Sequence, residues 1–193
     1  SWTTSMDIRV HEVDTIPLPE FREFPKIPRL ARQMIVTEKI DGTNGVVYVA
    51  ESGLVLAGSR TRWITPENDN HGFARWVHEH ESELRLLGPG VHFGEWWGEG
   101  IQRSYGIKGK RWSLFNTKRW GEVRPACCHV VPVLYQGPFD TTLVKQCLLF
   151  LATFGSQASP NFMRPEGVVV YHVAGGYLFK KTLDKDEEPK SRG

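Results

Sequence analysis

The sequence predicts an α+β fold dominated by antiparallel strands, with two helices packed against them. Three observations lead there. Short β-branched or aromatic runs are separated by Asp41-Gly42, Asn44-Gly45, Ser52-Gly53 and Ala174-Gly175-Gly176, which are turn signals between neighbouring antiparallel strands. Helical spacing of apolar residues, at steps of three and four, marks the stretches 66–87 and 141–154. Forty per cent hydrophobic residues, with ten Phe and seven Trp in 193 residues, are enough for a packed core, expected as one domain over 1–193.

The elements follow in order. The lead-in to residue 33 is punctuated by Pro17, Pro19, Pro25 and Pro28 and reads as irregular, with short strands. Met34–Ile40 is the first strand; 46–50 and Leu54–Arg60 continue it as a meander. A helix is expected from Pro66 to Leu87, with Phe73, Trp76, Val77, His80, Leu84 and Leu87 on one face and Gly88-Pro89-Gly90 as its stop. Val91–Trp97 is the next strand, followed by the glycine-spaced loop Gly98–Gly109. Lys110–Asn116 and His129–Leu134 are further strands. A second helix spans Thr141–Phe154, capped by Asp140 or Thr141, with Leu143, Val144, Cys147, Leu148, Leu151 and Phe154 inward. Gly167–Val173 and Tyr177–Leu183 form a final hairpin, and the charged tail Asp184–Gly193 reads as solvated.

Composition excludes some classes. A net charge of +2, from 24 basic and 22 acidic residues, is too balanced to demand nucleic acid by itself. No apolar run approaches the ~20 residues of a membrane-spanning helix, and the N-terminus lacks a basic-then-apolar leader pattern. Cys127, Cys128 and Cys147 contain no Cys-x-x-Cys and read as reduced thiols of a cytoplasmic protein. Cys127-Cys128-His129 lacks the second ligand cluster that a four-ligand zinc site needs, so buried thiols are expected there.

The stretch that carries chemistry is Val36–Gly45, "VTEKIDGTNG". Strand alternation puts Ile35, Thr37 and Lys39 on one face and Val36, Glu38 and Ile40 on the other. Lys39 is either a solvated strand-end charge or a nucleophile. An amine attacks only when neutral, a state that burial and neighbouring cations favour. These ten residues alone leave both readings open.

Lys39-Ile40-Asp41-Gly42-Thr43-Asn44 resembles motif I, Lys-x-Asp-Gly, of the covalent nucleotidyltransferases, which comprise ATP-dependent DNA and RNA ligases and mRNA capping enzymes. Further stretches resemble that family's motifs in its order: Ser59-Arg60 (Ia), Phe93-Gly94-Glu95 (III), Leu114-Phe115-Asn116 (IIIa), Pro165-Glu166-Gly167-Val168-Val169 (IV) and Phe179-Lys180-Lys181 (V). Within the family, Thr37–Asn44 and Lys26-Ile27-Pro28-Arg29-Leu30 look most like the RNA ligases.

The resemblance implies the antiparallel-sheet nucleotidyltransferase fold, the ATP-grasp-like adenylation domain of the ligases, with flanking helices. It implies ATP and Mg²⁺ (or Mn²⁺) as cofactors, Lys39 as the nucleophile that becomes lysyl-AMP, and Glu166 as the metal carboxylate. Lys180 and Lys181 would stabilise phosphates. Glu38, Ile40, Asn44, Arg60, Glu95, Phe115, Glu166 and Lys180 would contact the nucleotide, Glu38 by accepting from the exocyclic amine of adenine and Phe115 by stacking on the base.

Some departures bear on these roles. The family spaces its motif V lysines as Lys-x-Lys, whereas Lys180 is followed two residues later by Thr182; adjacent Lys180 and Lys181 face opposite ways, so only one reaches a given phosphate. Asn116 stands where relatives often carry Asp. Phe115 could instead be core. The segment from Trp96 to Gly106 mixes aromatics, glycines and Arg103, a composition able to stack on unpaired bases, although one of Trp96 and Trp97 should point into the core.

The expected activity is ATP-dependent joining of 5′-phosphate and 3′-hydroxyl polynucleotide ends, RNA above all. The alternatives are a capping-type guanylyltransferase using GTP, or a ligase-like binding module without full ligation. About a dozen residues follow Lys181, too few for an oligonucleotide-binding-fold domain, so a partner protein supplying a C-terminal module is expected, with the chain itself a monomer.

Overall fold

The computed structural model describes residues 17–25 and 33–183. The motif-like stretch Lys26–Leu30 and the tail Asp184–Gly193 lie outside the described residues. In chain order the elements are β1 (Gln33–Lys39), β2 (Thr43–Val49), β3 (Val55–Gly58), β4 (Trp63–Ile64), α1 (Phe73–Glu79), α2 (Glu81–Leu84), a 3-10 turn (Arg85–Leu87), β5 (Gly90–Gly98), β6 (Lys110–Leu114), β7 (His129–Val130), β8 (Val133–Pro138), α3 (Thr141–Phe154), β9 (Gly167–His172) and β10 (Tyr177–Thr182).

The strands form two sheets. One has the order β10-β9-β1-β8 and the other β4-β3-β2-β5-β6-β7. All pairings are antiparallel except β6 with β7. This is the predicted antiparallel α+β architecture. Each sheet buries one face under helices. Val47, Val49, Val55 and Ala57 of the six-stranded sheet pack with Phe73, Val77 and Leu84. Met34, Val36, Val168 and Val170 of the four-stranded sheet pack with Val144, Cys147 and Leu151, which recur at helical spacing along α3. A third cluster, Ile40, Trp97, Tyr105 and Val131, fills the space where the sheets adjoin.

Helix α3 has the predicted bounds. Asp140 caps it by accepting from Thr142 N at 2.8 Å, and Gly155 ends it with φ 85°. The predicted helix 66–87 is broken and begins at Phe73. His71 (φ 51°) and Gly72 (φ 79°) reverse the chain just before it, and the Asp69 carboxylate accepts from Asn70 N, Ala74 N and Arg75 N. It breaks at His80, whose ring Nδ1 and backbone N both donate to Trp76 O. The expected strand His129–Leu134 is two strands in different sheets. Pro132 cannot donate to a ladder, and its carbonyl accepts from Glu38 N at 3.0 Å as the chain passes from one sheet to the other.

Candidate active site

The central strand β1 carries Lys39 at its end, and register decides what surrounds it. Ile35, Thr37 and Lys39 stand opposite Tyr171, Val169 and Gly167 of β9, which in turn stand opposite Leu178, Lys180 and Thr182 of β10. Directly paired residues share a face, so this surface grades from apolar (Ile35, Tyr171, Leu178) to polar (Lys39, Thr182). It bounds a cavity of 580 Å³, within the range of small-molecule sites. The facing wall comes from Asn44 on β2, Val91, Phe93 and Glu95 on β5, and Phe115 just beyond β6.

Glu166 meets Lys39 because of the glycine that follows it. A Cβ on Gly167 would run into the Lys181 carbonyl and lie 2.7 Å from Thr182 Cα, so only glycine lets β9 enter here between β1 and β10. The preceding carboxylate then reaches Lys39, with Nζ donating to Oε2 at 2.7 Å and side-chain exposures of 25% and 17%. The group touching the amine is therefore a carboxylate.

Glu95 stands opposite Asn44, buried, and accepts from Gly42 N at 2.9 Å. Burial pushes its carboxyl up to about 7; the Gly42 N–H and the Lys39 charge oppose the rise, while Glu166 and Asp41 add to it. Glu38 also lines the cavity, though buried, and its carboxyl is raised by burial. Oε1 accepts from Gln157 N (2.6 Å) and Ala158 N (3.1 Å), and Oε2 from Ser156 Oγ (2.6 Å), which ties the loop after α3 to the strand end. Oε2 keeps one acceptor lone pair.

Several expected positions are now placed. Ile40 and Asn44 line the cavity. Phe115 is 42% exposed and lines it too; buried Leu114 also lines it, whereas Trp112 is core. Asn116 Oδ1 accepts from Lys118 N and Arg119 N and so shapes the turn that carries Phe115. Lys180 shares the cavity face; Lys181, opposite Val168, is on the helix face. Arg60 is exposed beyond the end of β3 and does not line the cavity.

The aromatic segment after β5 differs from expectation. Trp96 and Trp97 are both buried, in separate clusters on opposite faces of β5, and Ile101 and Tyr105 are buried as well. Rings whose composition would allow stacking on bases are packing residues. Sequence reading missed their actual use. Tyr105 OH accepts from Asp41 N at 2.7 Å, and Arg103 Nε donates to Asp41 Oδ2 at 2.9 Å. It also missed Ser156–Ala158 as partners of Glu38. Pairings across more than sixty residues leave no local pattern.

Among the described residues no group of three or more His, Cys, Asp or Glu is placed to hold a metal ion. Magnesium is commonly held by one or two carboxylates completed by water and substrate phosphates. Glu166, partly exposed beside Lys39, fits that arrangement, and a dedicated metal centre does not.

A family model described as RNA ligase matches residues 32–182. No curated protein sequence matches the chain. Among solved structures, an RNA ligase of Naegleria gruberi, a point mutant with ATP and Mn, superposes with TM-score 0.58 at 20% identity, covering 80% of this chain and 51% of that one. A further mutant of that ligase with AMP and Mn gives 0.56 at 21%, covering 79% and 50%. The same ligase with PPi gives 0.55 at 21%, again covering 79% and 50%. The chain thus spans about half the length of these structures.

Proposed function

The chain belongs to the RNA ligase family, and from that premise we propose that it is an ATP-dependent RNA ligase acting through a covalent lysyl-AMP. The observation that carries the reading is Lys39 Nζ, 2.7 Å from Glu166 Oε2, at one end of a cavity with an aromatic rim and an apolar wall.

In the first step the lone pair of Lys39 Nζ forms the N–P bond to the α-phosphorus of ATP. The bond to the bridging oxygen breaks, and pyrophosphate leaves with that electron pair. The amine proton passes to the atom it already meets, Glu166 Oε2. Lys180, on the cavity face, balances charge growing on the phosphate oxygens. Glu95 and Asn44 face the ribose, Phe115 takes the base, and the free lone pair of Glu38 Oε2 suits an exocyclic amine. Mg²⁺, when bound, neutralises phosphate charge and orients the leaving group. AMP then passes from Lys39 to the 5′-phosphate of an RNA end, and a 3′-hydroxyl attacks that activated phosphate, expelling AMP as the phosphodiester forms. A cytoplasmic location and a monomeric state accompany this proposal.

Incubation with α-labelled ATP and Mg²⁺ tests it: covalent label on the wild type, absent in Lys39→Ala, is the expected result. Label from GTP in preference to ATP would indicate a capping-type enzyme, and no Lys39-dependent label would leave a binding module. Assays on nicked duplexes and single-stranded RNA then define the ends joined.

A further inference from the structure

The loop between β5 and β6 has an unusual backbone. Gln102 (φ 49°), Ser104 (φ 61°) and Tyr105 (φ 54°) all occupy the left-handed region, within four consecutive residues. Side chains rarely adopt this conformation, and it persists where the surroundings over-determine it. Here they do. Tyr105 is buried edge-on to Trp97, at 5.2 Å, and against Phe162, at 4.6 Å. Its carbonyl accepts from Ser159 Oγ at 2.7 Å, and its hydroxyl accepts from Asp41 N at 2.7 Å.

This backbone presents Arg103 between two segments far apart in sequence. Nε donates to Asp41 Oδ2 at 2.9 Å; one terminal nitrogen donates to the Arg164 carbonyl at 2.9 Å and the Pro165 carbonyl at 3.3 Å. Asp41 is in the turn that follows Lys39, and Pro165 immediately precedes Glu166. The guanidinium thus joins the two backbone segments that carry Lys39 and Glu166. The planar fork matters, because Nε and the terminal nitrogen address the two segments at once, which a single ammonium does not reproduce. The side chains of the pair are only 22% and 24% exposed, so water competes weakly for these bonds.

We propose that Arg103 is a positioning residue for lysine adenylylation: by bridging Asp41 to the Arg164 and Pro165 carbonyls, it sets where Lys39 Nζ stands relative to Glu166. The proposal rests on the ligase reading above. It predicts an effect on the rate of attack rather than on nucleotide affinity, since Arg103 does not line the cavity.

The test measures single-turnover formation of enzyme–AMP across ATP concentrations for wild type, Arg103→Ala and Arg103→Lys, with a thermal melt of each. Misplacement of a reacting group by about an ångström costs on the order of 100-fold. Arg103→Ala is therefore expected to lower the maximal rate about 30- to 100-fold, with half-saturating ATP changed less than about threefold. Arg103→Lys, keeping one bond of the fork, is expected to recover part of the loss. A maximal rate within threefold of wild type in Arg103→Ala overturns the proposal, and so does a loss residing in half-saturating ATP. If Arg103→Ala does not melt cooperatively, Arg103→Lys decides, and wild-type rates there overturn the proposal. Absence of label on the wild type itself would overturn the ligase reading, a result distinct from every outcome for the variants.

Discussion

Lys180 stands directly across from Val169, so its side chain shares the face of the four-stranded sheet that carries Lys39, while Lys181 stands across from Val168 over α3. Adjacent lysines that look equivalent in sequence are separated by the pleat. Lys180→Ala is expected to slow lysyl-AMP formation by about 100-fold, the scale for loss of one group that stabilises developing charge. Lys181→Ala is expected to stay within about threefold of wild type, because an exposed lysine on the far face contributes little. Rates from α-labelled ATP in the two variants check this, and the reverse ranking would refute the register argument.

Glu166→Gln retains shape and hydrogen-bonding capacity but removes the negative charge opposite Lys39. Label formation is expected to fall about 100-fold or more, with the melting temperature changed by only a few degrees, since the pair is partly exposed. A variant that labels at the wild-type rate would remove Glu166 from the chemistry.

Glu95 ties stability to pH. Its carboxyl rises from 4.5 unfolded to about 7 folded, with burial the largest cause. The folded protein therefore binds this proton more tightly than the unfolded chain. The stability it contributes is fully present below pH 4.5 and is lost as pH rises through 7. A rise from 4.5 to about 7 corresponds to about 3 kcal/mol. Urea unfolding at pH 5 and pH 8 should show a smaller loss between the two in Glu95→Gln than in wild type. His92 and His129, both lowered by burial, and Glu38, raised by it, titrate in both proteins and cancel in the comparison.

Gly42 tolerates no side chain. An added Cβ would lie 2.7 Å from Trp97 Cβ and press on the Trp96 carbonyl, in a segment held from both sides. Gly42→Ala is expected to cost about 2 kcal/mol in urea unfolding and to reduce labelling, because the same residue's N–H anchors Glu95. Wild-type stability would show that the turn can yield.

The sheet architecture and part of the cavity wall were legible in the sequence, for physical reasons that residues 33–49 illustrate. Alternation over β1 puts Met34 and Val36 under α3 and Ile35, Thr37 and Lys39 on the cavity, but Glu38 and Ile40, assigned to the opposite face, line the cavity as well. The helix at 66–87 was misjudged because apolar spacing says nothing of His71 and Gly72, whose backbone delays its start. Trp96 and Trp97 misled because the rule of one inward face assumes a sheet covered on one side, and β5 is covered on both. The Lys39–Glu166 pair was anticipated only through ordered motifs. The Arg103–Asp41 pair, 62 positions apart, left no such mark.

The strand order has a consequence for synthesis. β1 is made well before its neighbours in the sheet, β8 and β9, which are translated about a hundred residues or more later. A nascent chain adds only ~5–20 residues per second. Throughout that interval the lysine strand has neither edge partnered, and Glu166 does not yet exist. On the ligase reading, Lys39 has its carboxylate partner only once β9 has been made and has paired with β1.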